Sequence, residues 1–568
     1  MENTIKQYLT KKITEAAGVS VEQVELEHPE AEEHGDYSTN VALVLKGGRP
    51  MAEKIKEAIL RQAQDDSVVA KVEVAGPGFI NIWLQNEYLV KELERVIIHG
   101  QEYGKLLAIN GKRVMIEFTD PNPFKEFHIG HLYSNVVGES VCRLMESQGH
   151  DVWRVCYQGD VGLHVAKSVW GMQKLQAETP GEEASPSERA KYLGQAYAAG
   201  AAAYEEGAGV KAEIDEVNKK IYMGADEVKS LYDMGRRWSL EYFDTIYNRL
   251  GTKFKRFYFE SEAGQMGVDL VKAHMADGVF EESEGAVVFR GEKHGLHTRV
   301  FINSAGLPTY EAKELGLAPT KYKDFAYDLS IILTGNEIDE YFKVLLKALE
   351  LISPELASKT RHLSHGMVRL PSGKMSSRTG DVITGEWLLN EAADRARKIS
   401  PDTVDPEVVG KAAVKYALLR SGVGKDIEFD FDESVSFEGN SGPYLQYTHA
   451  RTQSVLAKAN ITPELRSSPL KLRGDREVIL NDEERSILRY LYRFPEVVEE
   501  AAGRFAPNLV CNFLYELAQR YNTFYNKHSI LSAGSEEAKN FRIGLTAAVG
   551  QVVKNGLSLL GIEAPERM

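Results

Sequence analysis

The chain has 568 residues, of which 43% are hydrophobic and 27% are charged, and its formal net charge at pH 7 is −15. This composition is typical of a folded protein with about three to four domains. The negative charge argues against a surface that binds nucleic acid all over, although it leaves room for a local basic track. No apolar run has the length of a signal peptide core or a membrane span, so we expect a cytoplasmic protein with no membrane partner.

The chain has three widely separated cysteines without a Cys-x-x-Cys motif: Cys142, Cys156 and Cys511. This spacing argues against a disulfide framework and against a structural zinc site. The pairs His294 with His297 and His362 with His365 have a spacing that zinc sites use, but no third ligand lies near either pair. We therefore expect no zinc and no resident metal ion.

Residues 1–105 are predicted to form a small α+β domain. Apolar residues at helical spacing occur near the N-terminus and again from Met51 to about Gln64. From Val69 to Leu84 apolar and polar residues alternate as in strands, with a break at Gly76-Pro77-Gly78.

Residues 106–400 are predicted to form a Rossmann-type catalytic domain, an α/β fold with a doubly wound parallel sheet. A buried strand at 113–118, a turn-rich loop, a helix after His128 and a strand at 152–156 make a βαβ unit. Residues from about 172 to 250 read as a helical insertion, and residues 401–568 as an α-helical domain. Ligands of such sheets bind beyond the carboxyl ends of the strands, where His128 would lie.

The segment His128-Ile129-Gly130-His131 places two imidazoles at a predicted helix start. Free backbone N–H groups there favour phosphate, and Gly130 lets a base or ribose approach the backbone. Lys125 would add a cation to the same corner. The alternatives are two half-buried histidines and a solvated loop lysine.

Far downstream, a Gly-flanked loop carries Lys374-Met375-Ser376-Ser377-Arg378. This loop could fold over the same triphosphate and neutralise charge as a phosphorus–oxygen bond breaks. By composition alone it could equally be a flexible surface turn. The histidine motif and this loop, in this order, together resemble the two signatures of the class I aminoacyl-tRNA synthetases.

Further motifs resemble the arginyl-tRNA synthetase family in particular, from about residue 25 to the last residue. They are His34–Asn40, Gly76–Asn81, Glu117–Asn122, Gly159–Gly162, Gly439–Arg451 and Ala564–Met568. The resemblance implies a ligase of protein biosynthesis. Such an enzyme joins ATP, as its Mg²⁺ complex, to L-arginine and then transfers arginine to the 3'-terminal adenosine of tRNA(Arg).

The resemblance also implies roles at the ATP site. Catalytic stabilisation of the phosphates would come from His128, His131, Lys374 and Lys125. The segment from His365 resembles the family's adenine platform. The expected ATP-binding residues are His128, Gly130, His131, Gly366, Met367, Val368, Lys374, Ser376 and Ser377.

A guanidinium group needs anionic acceptors because its N–H donors form a planar fork. By resemblance, Glu117 binds the guanidinium group, Asn122 the α-ammonium group, and Tyr310 lies over the guanidinium. Glu117 could instead be a surface carboxylate and Tyr310 a core aromatic. The expected arginine-binding residues are Glu117, Asp120, Asn122, His128, Tyr310, Glu314 and Glu337.

Two of these positions depart from the family pattern. Glu314 stands where the family usually has aspartate, and Glu337 where glutamine is common. We expect the pocket to select arginine nevertheless. Lysine should be disfavoured, since one ammonium cannot satisfy a fork of two acceptors.

The resemblance assigns the N-terminal domain to the D-loop of the tRNA and the C-terminal domain to its anticodon. Phe79 could stack on a base and Asn81 could hydrogen-bond one. Tyr444, Tyr447 and Arg451 share a helix face. The terminal Met568 matches a residue that packs on the anticodon. Phe79 and both tyrosines could instead belong to the core.

Two other functions were weighed. A nucleotidylyltransferase that uses no tRNA would lack the N-terminal domain and the helical end. A non-catalytic tRNA-binding paralogue would be expected to lose one of His128, His131 or Lys374, all of which are present. We expect an active monomer whose partners are tRNA(Arg), L-arginine and ATP.

Overall fold

The computed structural model describes residues 4–63, 68–106, 111–181, 183–370, 383–399, 405–460 and 480–568. The chain divides into two compact units. One contains residues 1–107, 443–559 and 563–568, and the other contains residues 108–442 and 560–562. The two ends of the chain therefore build one unit, and the middle builds the other.

The N-terminal segment folds as the α+β element that the sequence predicts. Its elements are α1 (Ile5–Ala17), β1 (Tyr37–Thr39), α2 (Val41–Val44), α3 (Gly48–Ala63), β2 (Val69–Ala75), β3 (Phe79–Leu84) and α4 (Asn86–His99). The three strands form an antiparallel sheet in the order β1-β3-β2. Helix α1 ends at Gly18, whose φ of 68° is the left-handed conformation that glycine adopts without strain.

The middle unit begins with the predicted βαβ motif and then the helical insertion. Its first elements are β4 (Arg113–Glu117), α5 (Ile129–Ser147), β5 (Asp151–Gln158), α6 (Leu163–Lys174), α7 (Pro186–Glu206), α8 (Ala208–Met223), α9 (Asp226–Leu250), β6 (Arg256–Phe259) and α10 (Glu260–Ala273). A small antiparallel sheet follows, formed by β7 (Glu281–Ser283), β8 (Ala286–Phe289) and β9 (Arg299–Ile302).

The remaining elements complete this unit. They are α11 (Tyr310–Asp324), β10 (Leu329–Gly335), α12 (Asp339–Ile352), α13 (Pro354–Lys359), β11 (Thr360–His365), β12 (Val368–Arg369), α14 (Gly385–Ile399), α15 (Pro406–Leu419), β13 (Ile427–Glu428) and α16 (Phe431–Ser434). The main sheet has the order β11-β10-β4-β5-β6, and all its pairs are parallel. The predicted doubly wound parallel sheet is confirmed.

The register of the parallel strands shows on which side of the sheet Glu117 lies. Glu117 pairs with Val155 on β5 and with Ile332 on β10. Residues level with one another on parallel strands face the same side, and so does Tyr157, two residues beyond Val155. That side is covered by α10 and α11, since Tyr157 packs in one apolar cluster with Leu317 of α11. The carboxyl ends of the central strands therefore lie beneath these two helices.

The C-terminal helices are α17 (Gly442–Lys458), α18 (Asp482–Leu491), α19 (Phe494–Gly503), α20 (Pro507–Lys527) and α21 (Glu536–Leu559). Buried polar contacts join them to the N-terminal segment. The Asp36 carboxylate accepts hydrogen bonds from Arg489 Nε at 2.6 Å and from the Leu84 amide at 2.8 Å. Glu496 accepts one from the Tyr37 hydroxyl at 2.5 Å, in a buried setting. These bonds make one unit of segments that are distant in sequence.

Among the described residues, no helix is long and apolar enough to cross a membrane. The three cysteines are buried and form no disulfide.

Candidate active site

The two histidines cap helix α5. His128 is the N-cap, and its Nδ1 accepts hydrogen bonds from the backbone N–H groups of Gly130 at 3.1 Å and His131 at 3.4 Å. Nδ1 of His131 accepts one from the His128 N–H at 3.3 Å. Because both Nδ1 atoms are acceptors, each neutral ring carries its proton on Nε2. The pair thus keeps two N–H donors for a phosphate chain.

Both rings are uncharged at neutral pH. Burial, Lys125 and His365 together lower the pKa of His128 to about 4. Burial and the same neighbours, with His128 added, lower the pKa of His131 well below its ordinary value. Both histidines would therefore act as hydrogen-bond donors rather than as cations.

The Lys125 ammonium lies 4.4 Å from the ring centroid of Tyr197, on α7 of the helical insertion. A cation over an aromatic face is held there electrostatically. The insertion therefore borders the corner that holds the histidines. Lys374, Ser376 and Ser377 lie outside the described residues.

The predicted adenine platform is part of a narrow turn between β11 and β12. The Gly366 N–H donates to the Val423 carbonyl at 2.9 Å, and the Met367 N–H donates to Asp426 Oδ1 at 2.9 Å. A Cβ atom at Gly366 would meet the Lys425 carbonyl at 2.1 Å, so only glycine fits. Val368 pairs with β13. The protein itself thus uses two of the N–H groups of this turn.

The predicted arginine pocket contains a buried ion pair that the sequence analysis missed. Glu117 is 1% exposed, and its Oε2 accepts a hydrogen bond from Lys321 Nζ at 2.7 Å. Burial and Glu117 raise the pKa of Glu314 to about 8. Burial and Glu117 also raise the pKa of Asp120, whose Oδ1 accepts from the Tyr157 N–H at 2.7 Å. Glu117 therefore lies close enough to Asp120 and Glu314 to raise the pKa of both.

A second group of acceptors surrounds Gly159 at the end of β5. A Cβ atom there would lie 2.5 Å from Asn122 Oδ1 and 3.2 Å from Glu260 Oε1, so both oxygens converge on this glycine. The other oxygen of Glu260 accepts from Lys313 Nζ at 2.5 Å. The same ammonium lies 5.0 Å from the ring centroid of Tyr310, whose side chain is largely exposed. Asn122 and Glu260 together could bind an ammonium group.

Glu260, Lys313 and Lys321 are site residues that no motif in the sequence predicted. Lys313, Glu314 and Lys321 follow Tyr310 at spacings of three, four and eleven residues on the same side of the helix, which could have indicated the two lysines. Glu260 follows β6 directly, at the same sheet edge as the other site residues.

Glu337 lies in a turn after β10 and is exposed. Its charge reaches His365, where it opposes the lowering of the pKa that burial causes. It therefore lies near the carboxyl end of β11.

The predicted tRNA contacts differ in exposure. Phe79 is 42% exposed, whereas Asn81 is 6% exposed and its Oδ1 accepts from Ser38 Oγ at 2.8 Å. Phe79 is thus available for stacking. Asn81 belongs to the interior of the sheet.

On α17, the Arg451 guanidinium lies 4.8 Å from the Tyr447 ring centroid and 4.9 Å from that of Tyr525 on α20. Both rings are more than a third exposed. Arg451 donates to Asn522 Oδ1 at 2.5 Å, and Asn522 Nδ2 donates to the Tyr444 hydroxyl at 2.9 Å. The structure brings these predicted residues together and adds Tyr525 and Asn522 to them. The terminal Met568 is partly exposed.

The whole chain is similar to proteins of one family. The family model for tRNA synthetases class I (R), catalytic domain, matches residues 92–431. The arginyl tRNA synthetase N terminal domain matches residues 3–84, and the DALR anticodon binding domain matches residues 445–568.

Curated relatives are similar in sequence to this chain along nearly their full length. An arginine–tRNA ligase of Flavobacterium psychrophilum is 31% identical, over 97% of this chain and 97% of its own. One of Treponema denticola is 33% identical, over 96% and 95%.

Two solved structures have the same fold as this chain. The Thermus thermophilus arginyl-tRNA synthetase superimposes with a TM-score of 0.81 at 23% identity, over all of both chains. The Plasmodium falciparum arginyl-tRNA synthetase does so with a TM-score of 0.79 at 18% identity, over 99% of each. With its parallel sheet, capped histidine pair and buried carboxylates, the chain belongs to the arginine–tRNA ligase family of class I aminoacyl-tRNA synthetases.

Proposed function

We propose that this chain is itself a working arginine–tRNA ligase. It joins ATP and L-arginine to arginyl-adenylate and pyrophosphate, and then transfers arginine to the 3'-terminal adenosine of tRNA(Arg). The observation that carries the proposal is the group of carboxylates at the carboxyl end of β4, where the buried Glu117 interacts with the partly buried Asp120 and with Glu314 of α11, just before the capped histidine pair. A pocket of this kind suits a guanidinium group beside a phosphate site.

The first step is attack of the arginine carboxylate on the α-phosphorus of ATP, with pyrophosphate as the leaving group. The Nε2–H groups of His128 and His131 donate to the phosphate oxygens. Lys125 and Lys374 contribute positive charge. Since little covalent chemistry falls to the protein, positioning and charge stabilisation supply most of the rate.

ATP binds along the start of α5 and the turn after β11. The residues assigned to it are Gly130, Gly366, Met367, Val368, Ser376 and Ser377, with the two histidines and Lys374. The described residues contain no group of three or more His, Cys, Asp or Glu side chains placed to hold a metal ion. Mg²⁺ enters as the counter-ion of ATP, held by the phosphates, because it keeps several waters and binds substrate phosphates readily.

Arginine binds with its guanidinium group between Glu117 and Glu314, under the ring of Tyr310. Its α-ammonium group binds at Gly159, where the oxygens of Asn122 and Glu260 converge. The remaining residues assigned to the arginine site are Asp120, Glu337 and His128.

The unit formed by the two chain ends binds the tRNA. Phe79 meets the D-loop, and Tyr447, Arg451 and Tyr525 offer two aromatic faces and a cation to the anticodon. D-loop recognition falls to residues 1–105 and catalysis to residues 106–400. Within the predicted anticodon-binding domain, residues 401–568, the part that belongs to the chain-end unit begins at residue 443. The enzyme works as a monomer in the cytoplasm, a reducing compartment compatible with its free cysteines.

The test is arginine-dependent ATP–pyrophosphate exchange by the purified chain, with and without tRNA that carries an arginine anticodon. Lysine replaces arginine in the control. Exchange with arginine, followed by charging of the tRNA, is the expected result. Exchange with another amino acid would overturn the pocket assignment. No exchange by folded protein that still binds tRNA would identify a non-catalytic tRNA-binding paralogue.

A further inference from the structure

Helix α11 carries an aromatic, an acidic and a basic side chain at helical spacing. Tyr310, Glu314 and Lys321 stand at positions i, i+4 and i+11. At 3.6 residues per turn these positions fall on one face, and about 10 Å of helix separates Glu314 from Lys321. Of the three, Glu314 and Lys321 interact with Glu117 at the carboxyl end of β4.

Lys321 is 1% exposed and reaches Glu117 across this interface. Its Nζ lies 2.7 Å from Glu117 Oε2, with both side chains 2% exposed. The hydrogen bond engages one carboxylate oxygen, so the second oxygen of Glu117 can accept from a guanidinium group.

Several titratable groups face this pair from the elements packed around it. They are Asp120 after β4, Tyr157 on β5, Tyr258 on β6, Glu314 on α11, Tyr327 before β10 and Tyr341 on α12, and Glu260 on α10 acts on Glu314. Within this set Lys321 brings the positive charge and the other groups are acids. Burial opposes the charge on Lys321, but Glu117 and Glu314 outweigh it and raise its pKa to about 12.

A carboxylate that is buried beside other carboxylates takes up a proton unless a cation compensates it. A protonated Glu117 would have to release that proton before it could accept from arginine. An ammonium group already bound to Glu117 removes this requirement and fixes the orientation of the carboxylate.

We propose that Lys321 is a positioning residue for amino-acid binding: it holds Glu117 as an oriented anion before arginine arrives. The inference rests on the proposed assignment of Glu117 and Glu314 to the guanidinium group. Lys321 itself does not touch the substrate. By keeping Glu117 ionised, Lys321 sets the negative charge of the site that receives the guanidinium group. By binding Oε2 of Glu117, it leaves the other carboxylate oxygen to accept from the substrate.

The experiment compares Lys321→Met, Lys321→Gln and Lys321→Arg with wild type in ATP–pyrophosphate exchange from pH 6.5 to 9. At pH 7 the first two variants should raise the KM for arginine at least tenfold and leave the KM for ATP within twofold. The increase should shrink towards pH 9, since the carboxylates then ionise without the lysine. Lys321→Arg should restore most of the affinity at pH 7.

Lys323→Met is the matched control, because Lys323 is an exposed lysine on the same helix. It should leave the KM for arginine unchanged. An effect of Lys321→Met that does not vary with pH would reduce Lys321 to a packing role and overturn the proposal.

A measurement on the wild type covers the case in which the charge-removing variants do not fold. The infrared difference spectrum of the arginine-free enzyme, wild type minus Glu117→Gln at pH 7, should show a carboxylate at Glu117. A carboxylic acid there would overturn the inference. If Glu117→Gln leaves the KM for arginine unchanged, the pocket assignment itself fails. If Glu117→Gln raises this KM and the Lys321 variants do not, only the role of Lys321 fails.

Discussion

The imidazole rings of His128 and His131 lie nearly parallel, with ring centroids 3.5 Å apart and an angle of 23° between their planes. Two imidazolium cations would repel each other strongly at this distance in a buried site. The stacking therefore depends on both rings being neutral. It also fixes the two Nε2–H donors relative to each other.

The substitution His128→Asn separates the two roles of this residue. Asparagine is a good N-cap, so helix α5 should remain intact, but its side chain does not extend an N–H donor as far as Nε2. We expect kcat for arginine-dependent exchange to fall by about 10²–10³, as when one donor to a developing charge is removed. The measurement is steady-state exchange with saturating ATP. A kcat within threefold of wild type would show that His128 is only a cap.

The buried neutral histidines make stability depend on pH. The folded-state pKa of His128 is lowered to about 4, below an unfolded value of about 6.5, so the unfolded chain binds more protons between these values. The stability contributed by keeping the ring neutral is thus lost as pH falls from 6.5 towards 4. We expect the unfolding free energy of wild type, relative to His128→Asn, to drop by about 2 kcal/mol between pH 7 and pH 5. Denaturant unfolding at both pH values measures this difference. An equal drop in both proteins would contradict it.

Arginine binding should also weaken as pH falls, but over a higher pH range. Glu314, with its pKa raised to about 8, is mostly protonated at pH 7 and ionised above pH 8. Because a guanidinium group needs the carboxylate, the KM for arginine should fall as pH rises from 6.5 to 8.5. Glu314→Gln should raise this KM at least tenfold at pH 8.5 and flatten its pH profile. Glu314→Asp keeps the charge and serves as the control. An unchanged KM in both variants would remove Glu314 from the guanidinium site.

The anticodon surface can be tested at Tyr525, which pattern analysis did not identify. Stacking of a base on an aromatic ring contributes about 1–3 kcal/mol, so Tyr525→Ala should raise the KM for tRNA(Arg) in aminoacylation by roughly 5- to 150-fold. The KM for arginine should not change. Val44→Ala, at an exposed apolar residue of the N-terminal segment, is a suitable control. Equal KM values for tRNA in both variants would argue against stacking at Tyr525.

The buried pair between Asp36 and Arg489 should stabilise the unit formed by the chain ends. Arg489→Met leaves the Asp36 carboxylate buried without its cation, and breaking such a pair costs about 3–5 kcal/mol. Arg504→Met breaks an exposed pair with Glu500 and should cost less than about 1 kcal/mol. Urea unfolding monitored in this unit compares the two variants. Similar small losses in both would show that Arg489 does not hold the segments together.

The sequence allowed prediction of much of the fold because the relevant patterns are local. The strand at Arg113–Glu117, the turn after it and the helix from Ile129 lie within about 35 residues, and the structure contains each of them. The motif at His128 was visible for the same reason, since both rings cap the helix that they begin.

Pairs formed across the fold could not be predicted in this way. Lys321 lies 204 residues from Glu117, and no periodicity relates a strand end to a helix so far away. Tyr525 meets Arg451 only because α17 and α20 pack together. The acidity of the pocket followed from the motif, but its compensation by a buried lysine depends on tertiary contacts.

The pairing of Asp36 with Arg489 spans 453 residues, and this separation has a consequence for biosynthesis. At about 5–20 residues per second, Arg489 leaves the ribosome roughly 20–90 seconds after Asp36. During that interval the first segment has no access to the last helices, and groups such as Tyr37 and Asp36 face water. The beginning of the nascent chain must therefore stay free of aggregation until these helices emerge, so this unit closes late in synthesis.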